Sequence, residues 1–426
     1  MKRIIKVVAV FVVAMLSFTL MSCDRNGSVY YLNFKPEADE AWQNLAKKYT
    51  EETGVKVTVV TAAEGKYEET LTSEMNKSSA PTLFQVNGPV GYTVWKEYCL
   101  DLSDSDVYKE LLSDDYAIKV DDGVFGIAYV YEGYGIIVNK TLLKQAGYEL
   151  TDIKGIDKLT EIAEDITARK SNLGFGAFTS AALDGSSSWR FSGHLTNLPL
   201  FYEFDEDKVV AQPGTIKGKY IPNFKNIWDL YVNNTYSVTP SALTSATMDQ
   251  SRAEFLNKKA VFYQNGTWEY AEISKVLRDE EIGYMPIYMG INDEVQGLCS
   301  GTENYWSVNK LASKADQKAT LDFLYWVATS EEGTKALADD MGFVAPFKKA
   351  KKTDNVLYKH IDDMIAAGKK NVAWKFTYTP NTDTWRTGVV DALAAYSADP
   401  TTAKWDAVTK AMVDGWKTQY DLSHQK

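Results

Sequence analysis

Val29-Tyr30-Tyr31-Leu32-Asn33-Phe34-Lys35-Pro36, continued through Trp42, Leu45, Ala46 and Tyr49 to Gly54, is the stretch on which the fold turns. Val29–Leu32 is a run of strand-forming apolar residues, and Asn33-Phe34-Lys35 reads as a loop. Pro36 opens a helix whose apolar positions recur at i, i+3, i+4 and i+7, so Trp42 lies on a core face, and Gly54 closes it. Val55 to Val60 is then a second strand. Strand, helix and strand in this order predict a parallel sheet flanked by helices. Working outward, a helix over Tyr67–Met75 leads to another buried strand, Thr82-Leu83-Phe84-Gln85-Val86, which ends at Asn87-Gly88-Pro89, read as a sharp loop. Open α/β sheets bind ligands outside the carboxyl ends of their strands, so the loops 33–35 and 87–91 are candidate site walls, with Asn33, Phe34, Lys35 and Asn87 on them.

Residues 124–138 form a long apolar stretch broken by one acid, Glu132. A buried carboxylate without a partner is costly, so Glu132 must face a partner, water or a polar ligand. Helices are expected at about 156–170, 223–232, 249–258 and 315–328, the last carrying Trp326 on its core face. Ser180–Ser192 reads as a Gly/Ser-rich loop holding Asp184, Trp189 and Arg190. No repeat, coiled coil or Pro/Ser-rich linker divides the chain, which predicts interwoven lobes.

The N-terminus places Lys2, Arg3 and Lys6 before an apolar and small-residue run from Val7 to Leu20, the layout of a secretory signal and shorter than the roughly twenty residues a membrane span needs. Leu20-Met21-Ser22-Cys23 resembles the lipobox of bacterial lipoproteins, which implies a signal peptide over 1–22, acylation of Cys23 with palmitate-type chains, and a polar tether over 23–28. Several chains hold a protein on a membrane where one does not. Removing residues 1–22 takes three positive charges from the formal −11 and leaves −14. So acidic a chain argues against nucleic acid or a broad anionic membrane face as partner. Hydrophobic residues make up 45% of the sequence, enough for a sizeable core, and the 26 Tyr and 11 Trp supply either core filling or amphipathic contact faces. Cys99 and Cys299 remain after Cys23 and either pair or stay as buried thiols.

Several segments together resemble the extracellular solute-binding proteins of family 1, the carbohydrate-binding group that includes the maltodextrin-binding protein. They are the lipobox, Ile137-Val138-Asn139-Lys140 with Leu142-Leu143 and Ala146-Gly147, Phe255-Leu256-Asn257-Lys258-Lys259-Ala260-Val261-Phe262, Asn265-Gly266-Thr267-Trp268, and Gly342-Phe343-Val344-Ala345-Pro346. The resemblance implies a two-lobed periplasmic-binding-protein-like fold of type II, each lobe a mostly parallel sheet flanked by helices and joined by hinge strands. It places 29–132 and 292–345 in the N-terminal lobe and 133–288 and 349–426 in the C-terminal lobe. The implied role is capture of a sugar or short oligosaccharide in the cleft, for delivery to the permease subunits of an ABC importer. The implied setting is a lipid-anchored monomer at the outer face of the cytoplasmic membrane or in the periplasm. No cofactor, metal or catalytic residue is implied. By the same resemblance Glu132 matches an acid that hydrogen-bonds sugar hydroxyls, Trp268 a stacking tryptophan after a strand, Trp385 with Arg386 another near the C-terminus, and Asn33, Phe34 and Lys35 the first-strand loop.

The chemistry agrees with such a ligand. A pyranose has an apolar face that lies on aromatic rings and a rim of hydroxyls suited to carboxylates, amides and guanidinium groups. Trp268, Trp385, Trp189 and Trp306 offer faces; Glu132, Asn87, Asp184, Glu303, Arg190 and Arg386 offer edges. Trp189 and Trp306 read equally as core residues, and Asp184, Arg190 and Glu303 equally as solvated loop charges. Three rivals compete: a cysteine hydrolase built on Gly297-Leu298-Cys299-Ser300-Gly301 with His360 or His424, a lipid-anchored glycoside hydrolase, and a non-transport carbohydrate-binding protein. The sequence names no acid pair for the second, and shows neither a His/Cys cluster nor a phosphate-cradling glycine loop.

Overall fold

The strand that opens the sequence reading pairs along its whole length with the second one, and this parallel pair seeds the first of two sheets. The computed structural model describes residues 26–425; the expected signal peptide over 1–22 and the expected acylation site at Cys23 lie outside the described residues. In the first sheet β1 (Ser28–Asn33) runs parallel to β2 (Lys56–Thr61) and β3 (Leu83–Asn87). Beyond β3 follow β11 (Asn304–Val308), β5 (Gly123–Ala128) and β4 (Ala117–Val120), each antiparallel to its neighbour. The second sheet centres on β6 (Glu132–Asn139). It pairs antiparallel with β8 (Ala260–Gly266) on one edge and with β10 (Gln296–Gly301) and β9 (Ile282–Met285) on the other. The edge strands β7 (Gly176–Phe178) and β12 (Lys370–Ala373) run parallel to β8 and β10.

This is the expected two-lobed α/β architecture, but its sheets are mixed rather than mostly parallel. The reason is the wiring: β6 and β11 enter their sheets from the other lobe and so run against their neighbours. The same wiring corrects one boundary. β10, assigned from sequence to the first lobe with 292–345, belongs to the second sheet, where Cys299 opposes Tyr134 and Gly301 opposes Glu132. The chain crosses between lobes at 129–131, at Thr302-Glu303 and again after Phe347. The crossings are tied together: Tyr131 N–H donates to the Val344 carbonyl (2.8 Å) and the Thr302 hydroxyl to the Val130 carbonyl (3.0 Å).

The helix Asp39–Thr53 buries Trp42, Leu45, Ala46 and Tyr49, as its periodicity requires. Trp42 is 0% exposed and meets Tyr31 (ring centroids 5.1 Å) and Trp306 (6.0 Å) edge-on, which makes it the centre of the first-lobe core. Full burial of such a side chain contributes on the order of 2–3 kcal/mol. Trp326 packs on Tyr49 as expected of a core face. The helices expected at 156–170, 223–232, 249–258 and 315–328 form over Ile156–Ala168, Ile221–Asn233, Met248–Leu256 and Lys314–Thr329. Asn87-Gly88-Pro89 is not a loop: β3 passes directly into the helix Gly88–Trp95, which Gly88 permits by taking φ +61° while Pro89 fills a first-turn position with no N–H to satisfy. Cys99 and Cys299 are free and buried in the cores of different lobes, so they are not paired. No described helix is long and apolar enough to cross a membrane.

Candidate functional site

A cavity of about 430 Å³ opens between the lobes, beside the crossings. Its floor starts at the carboxyl end of β1. The Asn33 side chain donates to the Lys35 carbonyl (2.8 Å) and accepts from the Lys35 N–H (3.1 Å), which shapes the turn that carries Lys35 inward. Lys35 Nζ then meets Glu132 Oε1 at 2.7 Å and Glu37 at 3.5 Å. Burial alone would lower the Lys35 ammonium, but Glu132 and Glu37 outweigh it and hold the group above the usual lysine range. Burial pushes the Glu132 carboxyl above the usual carboxylate range against the pull of Lys35. The acid that interrupts the apolar run therefore has its partner, and the pair lines the cavity.

On the opposite wall, β8 ends at Gly266 and a single 3-10 turn presents Trp268. The indole folds back so closely that a Cβ on Gly266 would lie 2.2 Å from it, so this glycine is a condition of the ring's placement. Trp189 lies beside Trp268 (ring centroids 5.6 Å), and Phe34 faces the cavity from the first lobe. A polar group completes the floor. Asn87 Nδ2 donates to Glu303 Oε1 (2.9 Å), Arg386 Nη2 stands 3.9 Å from the same carboxylate, and His194 Nε2 is 4.0 Å from its other oxygen. Burial, with the Arg386 and Lys35 cations nearby, holds the His194 imidazole well below its ordinary pKa, so it is neutral at pH 7. Neither ring nitrogen of His194, nor Arg386 Nη2, has a hydrogen-bond partner in the protein.

Eight of the residues singled out from sequence thus line the cavity: Phe34, Lys35, Asn87, Glu132, Trp189, Trp268, Glu303 and Arg386. Five do not. Asn33 is wholly buried and acts by shaping the Lys35 turn. Trp306 is 0% exposed and stacks on Tyr129 (4.6 Å, planes 8° apart) in the first-lobe core. Trp385 points away from its neighbour Arg386: its Nε1–H donates to the Met412 carbonyl (3.0 Å) inside the second lobe. Arg190 is buried and donates to the Ser187 and Ser251 hydroxyls and the Gln264 carbonyl. Asp184 accepts from the Ser186 hydroxyl, and its carbonyl caps the turn before the π-helical segment Arg190–Leu195, which replaces the expected loop from Trp189 onward.

Sequence reasoning missed His194, the Arg252–Glu269 pair (2.7 Å) and Glu64 on the cavity wall. Burial, with Glu37 and Glu269 nearby, pushes the Glu64 carboxyl up to about 7. Glu64 follows β2, so the carboxyl-end rule applied to β1 and β3 would have found it; nothing in the spacing announces the other three. The Gly297–Gly301 segment is no nucleophile elbow. It lies in the strand β10, and burial pushes the Cys299 thiol up to about 12, which leaves no thiolate at neutral pH. His360 and His424 sit elsewhere, against the Ile282 and Tyr420 carbonyls. Among the described residues no group of three or more His, Cys, Asp or Glu is placed to hold a metal ion.

Comparison with solved structures returns the same architecture. The solute-binding protein RafE in complex with raffinose superposes with a TM-score of 0.72 at 16% identity, over 92% of this chain and 99% of that one. A family 1 extracellular solute-binding protein from Bifidobacterium longum subsp. infantis gives 0.61 at 20% identity, over 92% and 100%. Maltose-bound MalE3 of T. maritima gives 0.70 at 15% identity, over 92% and 99%. At such identities the likeness is one of fold. A search of curated protein sequences finds no match. The sequence model for bacterial extracellular solute-binding proteins matches residues 44–358, which run from within the first-lobe helix Asp39–Thr53 through strands β2 to β11 of the two sheets into the helix Val356–Ala366 after the last crossing. That match spans most of the chain, and with it the protein belongs to the bacterial extracellular solute-binding protein family.

Proposed function

We propose that this protein captures a sugar or short oligosaccharide between its lobes, closes on it, and delivers it to the permease of an ABC importer while held at the membrane by a lipid on Cys23. The observation that carries this reading is the pairing of surfaces in the cleft. Trp268 and Trp189 present apolar faces on one wall, while the Lys35–Glu132 pair and the Asn87, Glu303, Arg386 group present hydrogen-bonding edges on the floor. A pyranose needs both at once, and a planar aromatic or purely apolar ligand would leave the charged edges desolvated and unmatched. The raffinose and maltose named for two structures of the same fold are ligands of this class. Lobe closure exchanges water for ligand at both walls in one movement, which gives the permease a loaded shape distinct from the empty one.

Calorimetry of the mature chain against neutral mono- and oligosaccharides tests the proposal. Saturable binding of at least one sugar, with stoichiometry near one, is expected. Turnover of a glycoside in place of tight binding would transfer the protein to the hydrolases.

A further inference from the structure

Glu132 starts β6 and Trp268 follows β8, and what fixes the two side chains relative to each other lies behind the cavity lining. The main-chain groups on either side of Glu132 are taken by one chain of hydroxyls. The Gly133 N–H donates to Thr267 Oγ1 (3.2 Å), the Thr267 hydroxyl donates to Tyr358 Oη (3.1 Å), and the Tyr358 hydroxyl donates to the Tyr131 carbonyl (2.6 Å). All three bonds run in the same direction, so each polarises the next, and the chain closes a loop on the two peptide groups that flank Glu132. Thr267 is also the residue before Trp268, and its own carbonyl accepts from Asn355 Nδ2 (2.9 Å). Asn355 in turn caps the helix Val356–Ala366 by accepting from the Leu357 N–H (3.0 Å).

Three parts of the chain therefore meet at Thr267: the first crossing with the strand it feeds, the turn that presents Trp268, and the segment that follows the last crossing. Thr267, Tyr358 and Asn355 are buried and do not line the cavity, so they act on a ligand there only through their neighbours. The Tyr358 ring packs with Leu298, Leu357 and Ile361. A phenylalanine would fill that space equally, so what the hydroxyl contributes lies in its two bonds. Burial, with Glu132 nearby, pushes this hydroxyl well above the ordinary phenol range, and it remains a donor.

We infer that Thr267 and Tyr358 are positioning residues, whose hydroxyls lock Glu132 and Trp268 into one corner at the crossing, set for a ligand that bonds to the acid and stacks on the ring. This rests on the reading of the cleft as a saccharide site. Side chains held in place before binding have less freedom to lose when the ligand arrives, and that is how such a chain contributes affinity.

Calorimetry of the parent protein with glucose, galactose, maltose, maltotriose, cellobiose, xylobiose and raffinose selects the sugar that binds most tightly, and the variants are titrated with it. Tyr358→Phe removes one oxygen, Thr267→Val keeps the branched shape without the hydroxyl, and Thr267→Ser keeps the hydroxyl. Tyr358→Phe and Thr267→Val should each weaken binding at least about fivefold, the scale of a lost neutral hydrogen bond, while Thr267→Ser stays within about twofold of the parent. Either change cuts the same chain, so the double variant should be about as weak as the weaker single one. Tyr396→Phe removes a second-lobe hydroxyl bonded to Asp229, outside the cavity lining, and should leave affinity unchanged. Lower melting temperatures with unchanged affinity in Tyr358→Phe and Thr267→Val would make the hydroxyls supports of the fold alone and overturn the inference. Losses that multiply in the double variant, or a Thr267→Ser protein as weak as Thr267→Val, would do the same and leave the saccharide site standing. Should Thr267→Val not fold, the affinity of Tyr358→Phe decides by itself. If the parent binds no sugar of the panel, the saccharide reading falls, and this inference with it.

Discussion

The second-lobe core and the cleft floor both bury polar atoms and satisfy them differently. In the core, Trp385 on the helix Thr382–Ala398 donates to the Met412 carbonyl and meets Trp416 edge-on (6.0 Å), and Arg190 donates to two hydroxyls and a carbonyl. On the cleft floor, Arg386 Nη2 and both nitrogens of His194 are unpaired. Buried polar atoms in folded proteins are paired in the great majority, and one left bare costs about 1–3 kcal/mol. A satisfied group is a strut. A bare one beside an open cavity is free to pair with what fills that cavity.

Substitutions on the two sides should separate accordingly. Trp385→Ala removes a core side chain and should cost about 3–5 kcal/mol of stability in denaturant unfolding, with saccharide affinity of the folded fraction little changed. A variant as stable as the parent would remove Trp385 from the strut class. Glu132→Gln leaves Lys35 buried opposite a neutral amide and takes a charged acceptor from the ligand, so calorimetric affinity should fall by about 2 kcal/mol. Trp268→Ala should weaken binding by more than about 1 kcal/mol while the melting temperature holds, the reverse of Trp385→Ala. Unchanged affinity would take Trp268 out of the site. The smallest effect concerns Glu64. Its carboxyl is raised from 4.5 to about 7 in the folded chain, so the native state holds a proton that the unfolded state has released. The stabilisation is full below about 4.5 and is lost as pH rises through about 7. Glu64→Gln should therefore raise the melting temperature relative to the parent above pH 7 and leave it nearly unchanged at pH 4; an equal shift at both pH values would show that burial of Glu64 does not perturb its titration.

The comparison also explains what the sequence could say. The βαβ opening was legible because strand and helix periods are local, and so were Trp42 as a core residue and the side of its helix on which Trp326 packs, half-buried, against that core. Glu132 was legible because a lone acid in an apolar run requires a partner; Lys35, its partner, is close only after β6 has crossed between lobes. Tryptophans near strand or helix ends carried no local sign of which way they face. Trp385 and Arg386 are consecutive, and the helical turn sends one into the core and the other into the cleft. Trp306 alternates on β11 with residues facing the other side of its sheet, and it falls on the side covered by the Trp42 helix. His194 enters the cavity through a π-helical turn, whose spacing no helical or strand periodicity anticipates. The mixed sheets likewise depend on crossings that link segments far apart in the chain.

Hydrogen exchange of the protein, with and without the tightest-binding sugar of the calorimetric panel, tests the central claim most directly. Ligand held between the lobes should slow exchange at 34–37 and 87–91 in the first lobe and at 189–194, 266–272 and 382–386 in the second, together and with the same sugar concentration dependence. Protection confined to one lobe, or absent from these segments while the sugar is bound, would contradict a cleft that closes on a saccharide.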